Sequence, residues 1–122
     1  MEIKEGLYYT ETHEWVKFTN KGTALVGLAD YAQDQLGDIA FINLCAVGDM
    51  LSAGEVMGDV ESIKAVSDVF APVSGRVIAV NDGVVDKPEL VNSDPYGSWL
   101  LEIECDQDTD GLMDAAAYKI FN

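Results

Sequence analysis

One lysine in this chain sits where covalent chemistry is open to it. In Glu61-Ser62-Ile63-Lys64-Ala65-Val66-Ser67-Asp68, Lys64 lies between two β-type runs, Val56 to Val60 and Val66 to Phe70, at the point where the chain must turn. A lysine on a turn is exposed, keeps a pKa of about 10.4 and stays protonated at neutral pH. It is then a poor nucleophile or Schiff-base former. The chemistry left to it is acylation by an outside enzyme. In an amide the charge is lost, and the flexible four-carbon stem becomes the base of a swinging arm. A tight hairpin would hold that base still while the arm moves. Local residues leave a plainer reading open as well, because exposed turn lysines are common and most only solvate the surface. Ile63-Lys64 also lacks the Asn-Gly or Gly-X pair that marks a two-residue hairpin.

Other chemistry is sparse. Cys45 and Cys105 stand alone, with no CxxC spacing, and read as reduced core thiols. One histidine, His13, and no HExxH or Cys/His cluster leave too few ligands for an ordinary zinc site. No G-x-S-x-G, P-loop or Rossmann fingerprint is present. Twenty-two acidic against seven basic side chains give a net charge of -15, which repels nucleic acid and anionic membranes. That acidity either keeps the protein soluble or steers it towards basic partner surfaces. No apolar run approaches the ~20 residues needed to span a bilayer, and Met1 to Glu5 lacks signal-peptide character. A soluble, reducing compartment is expected, with the bacterial cytoplasm favoured over a processed mitochondrial form.

Positioning Lys64 requires a scaffold of short strands. A chain of 122 residues, 48% hydrophobic, fits one domain over residues 1–122 with one core and no linker. Strand-type runs fall at Leu7 to Thr10, Trp15 to Phe18, Thr23 to Leu28, Ile39 to Leu44, Val56 to Val60, Val66 to Phe70, Arg76 to Val80 and Trp99 to Glu104. In the last, Trp99, Leu101 and Ile103 alternate with Glu102 and Glu104, as a half-buried strand requires. Turn signals at Gly48-Asp49, Ser52-Ala53-Gly54, Ser74-Gly75 and Asn81-Asp82-Gly83 suggest a compact sandwich or barrel. Asp30 and Gln33 have capping-box spacing ahead of Leu36 and Gly37, predicting a short helix near 30–36. A second helix is expected at the C-terminus, with Met113, Ala116, Ala117 and Ile120 on one stripe and Asp108 or Thr109 as caps.

Along nearly its whole length the chain resembles the H-protein family of the glycine cleavage system. The resemblance rests on Tyr9 with His13-Glu14-Trp15-Val16, Val26-Gly27, Tyr31-Ala32-Gln33, Leu36-Gly37-Asp38-Ile39 and Val47-Gly48. It continues through Glu61-Ser62-Ile63-Lys64-Ala65 with Ser67-Asp68, Pro72-Val73-Ser74-Gly75, Val80-Asn81, Pro88, Leu90, Asn92, Pro95-Tyr96-Gly97 and Trp99-Leu100. It implies a mainly β fold, the barrel-sandwich hybrid of lipoyl and biotinyl carriers, with two small antiparallel sheets and the modified lysine on a hairpin. Lys64 takes the position that carries covalent lipoate.

The resemblance further implies a non-catalytic carrier that visits three enzymes. Glycine decarboxylase (P protein) loads an aminomethyl group onto the lipoyl arm. A tetrahydrofolate-dependent aminomethyltransferase (T protein) removes it, and dihydrolipoamide dehydrogenase (L protein) reoxidises the arm. Lipoyl-attaching enzymes complete the partner set, and the chain is expected to act as a monomer. In the family the loaded arm folds into a cleft, and its amine meets positions matched here by Thr12, Glu14 and Asp68. Two carboxylates suit a protonated amine, because charge-assisted hydrogen bonds are about twice as strong as neutral ones. Thr12 replaces the family's serine but keeps a hydroxyl. Cys45 stands where proline is common. His13 and Trp15 read as packing residues.

Three alternatives stand beside this reading. An H-like protein serving mainly in lipoyl relay would share the fold. A biotin carrier domain would present a similar lysine but places methionine on each side, where Ile63 and Ala65 stand here. A freestanding enzyme using Lys64, His13 or Glu14 would need Lys64 desolvated in a pocket.

Overall fold

A computed structural model describes all 122 residues. Ten strands and four short helices follow in order: β1 Tyr8–Tyr9, β2 Glu14–Phe18, β3 Thr23–Leu28, α1 Asp30–Leu36, β4 Ile39–Leu44, β5 Met50–Leu51, β6 Val56–Ser62, β7 Val66–Phe70, β8 Gly75–Val80, α2 Asp82–Asp86, α3 Leu90–Ser93, β9 Leu101–Glu104, β10 Met113–Asp114 and α4 Ala115–Phe121. The strands form two sheets. One has seven strands in the order β10-β1-β2-β3-β9-β8-β5, the other three in the order β4-β6-β7. Every pairing is antiparallel, and neither sheet closes on itself.

Period-two alternation places the core. Register aligns Val16 with Val26, Val26 with Leu101, and Ala24 with Ile103, so these residues share one face of the large sheet. There they join Ile42, Val60 and Val69 of the small sheet in a cluster of 18 buried residues. Burying a Val, Leu or Ile side chain contributes roughly 1.5–3 kcal/mol, so this interface between sheets dominates the fold.

The expectation of one core is corrected. A second cluster of six residues, Leu7, Tyr9, Trp15, Ala29, Ala115 and Tyr118, covers the opposite face of the large sheet. The cause is α4, which docks on that outer face and stacks Tyr118 on Tyr9 with ring centroids 4.3 Å apart. Trp15 therefore points away from Val16 yet is buried as well. Its indole lies over Gly27, directly opposite in register, and its Nε1 donates to the Pro95 carbonyl at 3.1 Å.

Several local expectations also change. The C-terminal helix starts at Ala115, and its cap is Asp114, whose carboxylate accepts from the Ala117 N–H; Asp108 and Thr109 lie upstream. Its buried face is Ala115 and Tyr118, while Ile120 is 89% exposed, so the predicted stripe does not face the protein. Met113 belongs to β10. Small alanines carry too little apolar area to set a helix's orientation, and the aromatic ring of Tyr118 sets it instead. In α1, Gln33 does not reach back to the backbone; its amide donates to the Asp30 carboxylate, and Ala29 occupies the N-cap. Trp99 precedes β9 and packs on the second cluster. Asn81-Asp82-Gly83 opens α2, which with α3 went unpredicted because helices of four or five residues show no periodicity. Cys45 and Cys105 are free and half-buried beside the main cluster, and burial pushes both thiols up.

Candidate functional site

The site is built from a turn, an edge strand and a helix. The segment from Thr10 to Glu14, which links β1 to β2, carries a polar side chain at each of its five positions. Thr10 N–H donates to the Glu14 carbonyl at 3.0 Å and His13 N–H to the Thr10 carbonyl at 3.1 Å, with His13 in the left-handed region at φ 69°. This is a type I turn followed by one left-handed residue, a common three-residue hairpin loop, and histidine tolerates that conformation better than most residues. The turn brings Thr10, Thr12 and Glu14 together. Both hydroxyls donate to Glu14 Oε1, while Thr10 Oγ1 also accepts from the Glu14 N–H at 3.0 Å.

Glu14 lies on the same strand face as Val16, inside the protein and only 1% exposed. Its second oxygen accepts from the Phe70 N–H on β7 at 3.2 Å. Burial raises its pKa above the ordinary carboxylate value, and the hydrogen bonds from Thr10, Thr12 and Phe70 oppose that rise. Three donors occupy most of a carboxylate's roughly four acceptor sites, leaving about one for a ligand.

A cleft of about 190 Å³ runs beside this group, between α1 and the edge strand β7. Thr12, Glu14 and Asp68 all line it, so the fold brings the three predicted residues to one concavity. Tyr31, Leu36 and Ser67 supply other parts of the wall. Asp68 itself is exposed and sits opposite Asp59 in register. The mixture is mainly apolar with a few convergent polar groups, as small-ligand clefts usually are.

Lys64 stands at one end of the same strand. The Ser62 N–H donates to the Ala65 carbonyl at 2.9 Å, closing a two-residue turn whose central residues are Ile63 and Lys64. Neither has positive φ, so the turn is not of the Asn-Gly kind. Ser62 takes over that role: its Oγ accepts from the Lys64 N–H at 3.1 Å and the Ala65 N–H at 3.2 Å. The lysine is exposed, and its stem passes beside Gly37 at the end of α1, where an added Cβ would lie 3.4 Å from Cε. Gly37 is held by Asn92 of α3, whose amide donates to the Gly37 carbonyl and whose oxygen accepts from Ile39 N–H. From Lys64 the strand rise of ~3.3 Å per residue carries β7 to Asp68 over ~13 Å.

Sequence reasoning missed Thr10, Tyr31 and Asn92 as parts of this construction. Thr10 had a legible signal: a hydroxyl four residues before an acid that shares the phase of Val16 and Phe18. His13 is half-buried, lines the cleft and places Nδ1 2.6 Å from the Tyr118 hydroxyl; burial lowers its pKa. No group of three or more His, Cys, Asp or Glu side chains is arranged to hold a metal, and no helix is long and apolar enough to cross a membrane.

Comparison with known proteins bears on the whole chain. The family model described as "Glycine cleavage H-protein" matches residues 7–121. A glycine cleavage system H protein of Thermoanaerobacter sp. strain X514 is 54% identical over 123 residues, covering 99% of this chain and 97% of the relative. A probable glycine cleavage system H protein of the archaeon Thermococcus gammatolerans is 51% identical over 120 residues, covering 96% and 90%. The crystal structure of a glycine cleavage system H protein from Mycobacterium marinum superposes with a TM-score of 0.86 at 38% identity, covering 95% of each chain.

Proposed function

This chain belongs to the glycine cleavage H-protein family, the family of the system's lipoyl carrier, and from that premise we propose that Lys64 carries covalent lipoate and that the chain shuttles the aminomethyl group of glycine. The observation that carries the proposal is spatial. Lys64 projects from a closed turn beside Gly37, and the cleft holding Thr12, Glu14 and Asp68 lies along the strand that begins at this turn.

Those residues fit the group. The lysine is accessible to an acylating enzyme, its stem is not engaged in a salt bridge, and a mainly apolar cleft of about 190 Å³ lies within reach. Bound lipoate supplies a reversible disulfide able to accept and release a one-carbon amine. The chain's own part is to shelter and orient. Leu36 and Tyr31 exclude water from the cleft, and Glu14, already polarised by two hydroxyls, offers its remaining acceptor site to an ammonium. Asp68 adds a second negative charge at the mouth. A charge-assisted contact to the buried carboxylate outweighs one made in water, since the surrounding dielectric is lower. Nothing here requires catalysis by this chain. In this reading the partners are the P, T and L proteins and the lipoyl-attaching enzymes, and residues 1–122 act as one carrier domain in the cytoplasm.

Intact-mass analysis of natively expressed protein tests the attachment. A lipoyl mass increment that disappears in Lys64→Arg is expected, whereas an unmodified wild type or a biotinyl increment overturns the proposal. Glycine–bicarbonate exchange with a cognate decarboxylase tests the shuttle, and a lipoylated sample without exchange would assign the chain to lipoyl relay.

A further inference from the structure

The outward face of the three-stranded sheet is apolar next to Lys64. Register aligns Phe41 on β4, Glu61 on β6 and Val66 on β7 in one row, and the row beside it, Ile42, Val60 and Ser67, contributes Ile42 and Val60 to the core. Phe41 and Val66 consequently point outward, 62% and 65% exposed, and Ile63 in the turn is 80% exposed. The next outward row is Asn43, Asp59 and Asp68. Neither row contains a basic residue, so Lys64 is the one cation of this hairpin face.

Large exposed apolar side chains on one sheet face and its turn, with Glu61 on the strand between Phe41 and Val66 and Asp59 and Asp68 in the next row, mark a protein-contact surface better than scattered ones do. We infer that Phe41, Ile63 and Val66 form the docking surface for the enzyme that acylates Lys64, which meets them with an apolar seat rimmed by lysine or arginine. Reach decides the occupant. Enzymes that use the finished arm act at its far end and need not touch the turn. The acylating enzyme must bring the carbonyl carbon of an activated acid to Nζ itself, at the end of a four-carbon stem. Nζ–C bond formation breaks the bond to the leaving group, which departs with its electron pair, and the ammonium gives up two protons. A protein surface placed that close to Nζ covers Ile63 in the turn and the adjoining row that holds Phe41 and Val66. The acids of both rows, on a chain of net charge -15, complement a basic rim.

This inference rests on the carrier reading above, and its test separates the two. The unmodified protein is titrated against a lipoate–protein ligase with lipoate and ATP, following the mass of Lys64-acylated product. Phe41→Ser/Val66→Ser and, separately, Ile63→Ser should each raise KM, the double variant by about tenfold, with kcat within about twofold. Asp59→Lys should raise KM at low salt, with the difference fading at high salt. Val47→Ser/Met50→Ser, exposed apolar residues on and before β5, should leave KM unchanged. Far-ultraviolet circular dichroism checks each fold, and Ile63→Ser, in the turn outside both core clusters, carries the test if the double variant unfolds. Binding of the ligase to Lys64→Arg, followed by calorimetry, gives a readout independent of the reaction and should weaken with the same substitutions. Normal KM in the patch variants, or an equal rise in the Val47/Met50 control, overturns the inference alone. Failure of wild-type Lys64 to be acylated overturns the carrier reading. A wild-type dimer that Phe41→Ser/Val66→Ser dissociates would assign the patch to a second copy of the chain and overturn the inference.

Discussion

Glu14 Oε2 accepts a hydrogen bond from the Phe70 N–H at 3.2 Å, so one buried carboxylate on the large sheet ties down the edge strand of the small one. That contact joins the Thr10–Glu14 turn to the strand that leads back to Lys64, and Glu14 itself lines the cleft that runs between that strand and α1. Removing the acceptor therefore tests packing and site together.

Glu14→Gln should change how stability depends on pH. Burial raises the Glu14 pKa in the folded protein, so over the window between the unfolded value and the raised folded value the native state binds more protons than the unfolded chain. Stability contributed by this group is then greatest below the unfolded pKa and falls as pH rises through the folded one. Glutamine does not titrate. The stability of wild type relative to Glu14→Gln should decline in urea unfolding as pH rises above the ordinary carboxylate range, and a difference independent of pH would contradict the assignment.

Thr10→Val should raise the Glu14 pKa further, because the Thr10 hydroxyl donates to the carboxylate and stabilises its charged form. The valine also leaves the Glu14 N–H without its acceptor. A stability loss of about 1–3 kcal/mol is expected. A carboxyl-carbon NMR titration shows the pKa change, and Thr10→Ser should restore it.

Ser62→Ala should loosen the turn that carries Lys64. Two backbone N–H groups lose their side-chain acceptor, but both are exposed and water replaces it. The global cost is about 0.5–1.5 kcal/mol. Faster amide exchange at Lys64 and Ala65 than elsewhere in β6 and β7 is the local signature.

Gly27→Ala should disturb the second core, since an added Cβ would lie 2.7 Å from three atoms of the Trp15 indole, which is itself held by Pro95. Overpacking of this kind costs about 1–3 kcal/mol. Altered near-ultraviolet circular dichroism with unchanged far-ultraviolet signal would report it.

The strands carrying the site were legible wherever alternation met a clear hydrophobic phase: Leu101 and Ile103 are buried as their spacing requires, and β3, β4 and β7 span the predicted residues. The short helices were not. Asp30–Leu36 had a glycine stop, Gly37, to mark its end, whereas Asp82–Asp86 and Leu90–Ser93 have neither period nor cap of their own. Their positions come from contacts such as Asn92 with Gly37 and Ile39. The hairpin at Lys64 also escaped turn rules, because the Ser62 hydroxyl, and not an Asn-Gly pair, organises its central N–H groups.

By itself the sequence determined the candidate attachment residue, the acidic character, the mainly β pattern and, through its resemblance, the family. These depend on residue type and nearby spacing, which are local properties. Tertiary structure alone decided that Glu14 is buried, that Phe70 supplies its partner across 56 residues, that Tyr118 rather than Ile120 seats the last helix, and that Thr12, Glu14 and Asp68 line one cleft beside Lys64. Each is a pairing between segments distant in the chain. The burial energy that selects such pairs belongs to the packed sheets and to no single stretch of sequence.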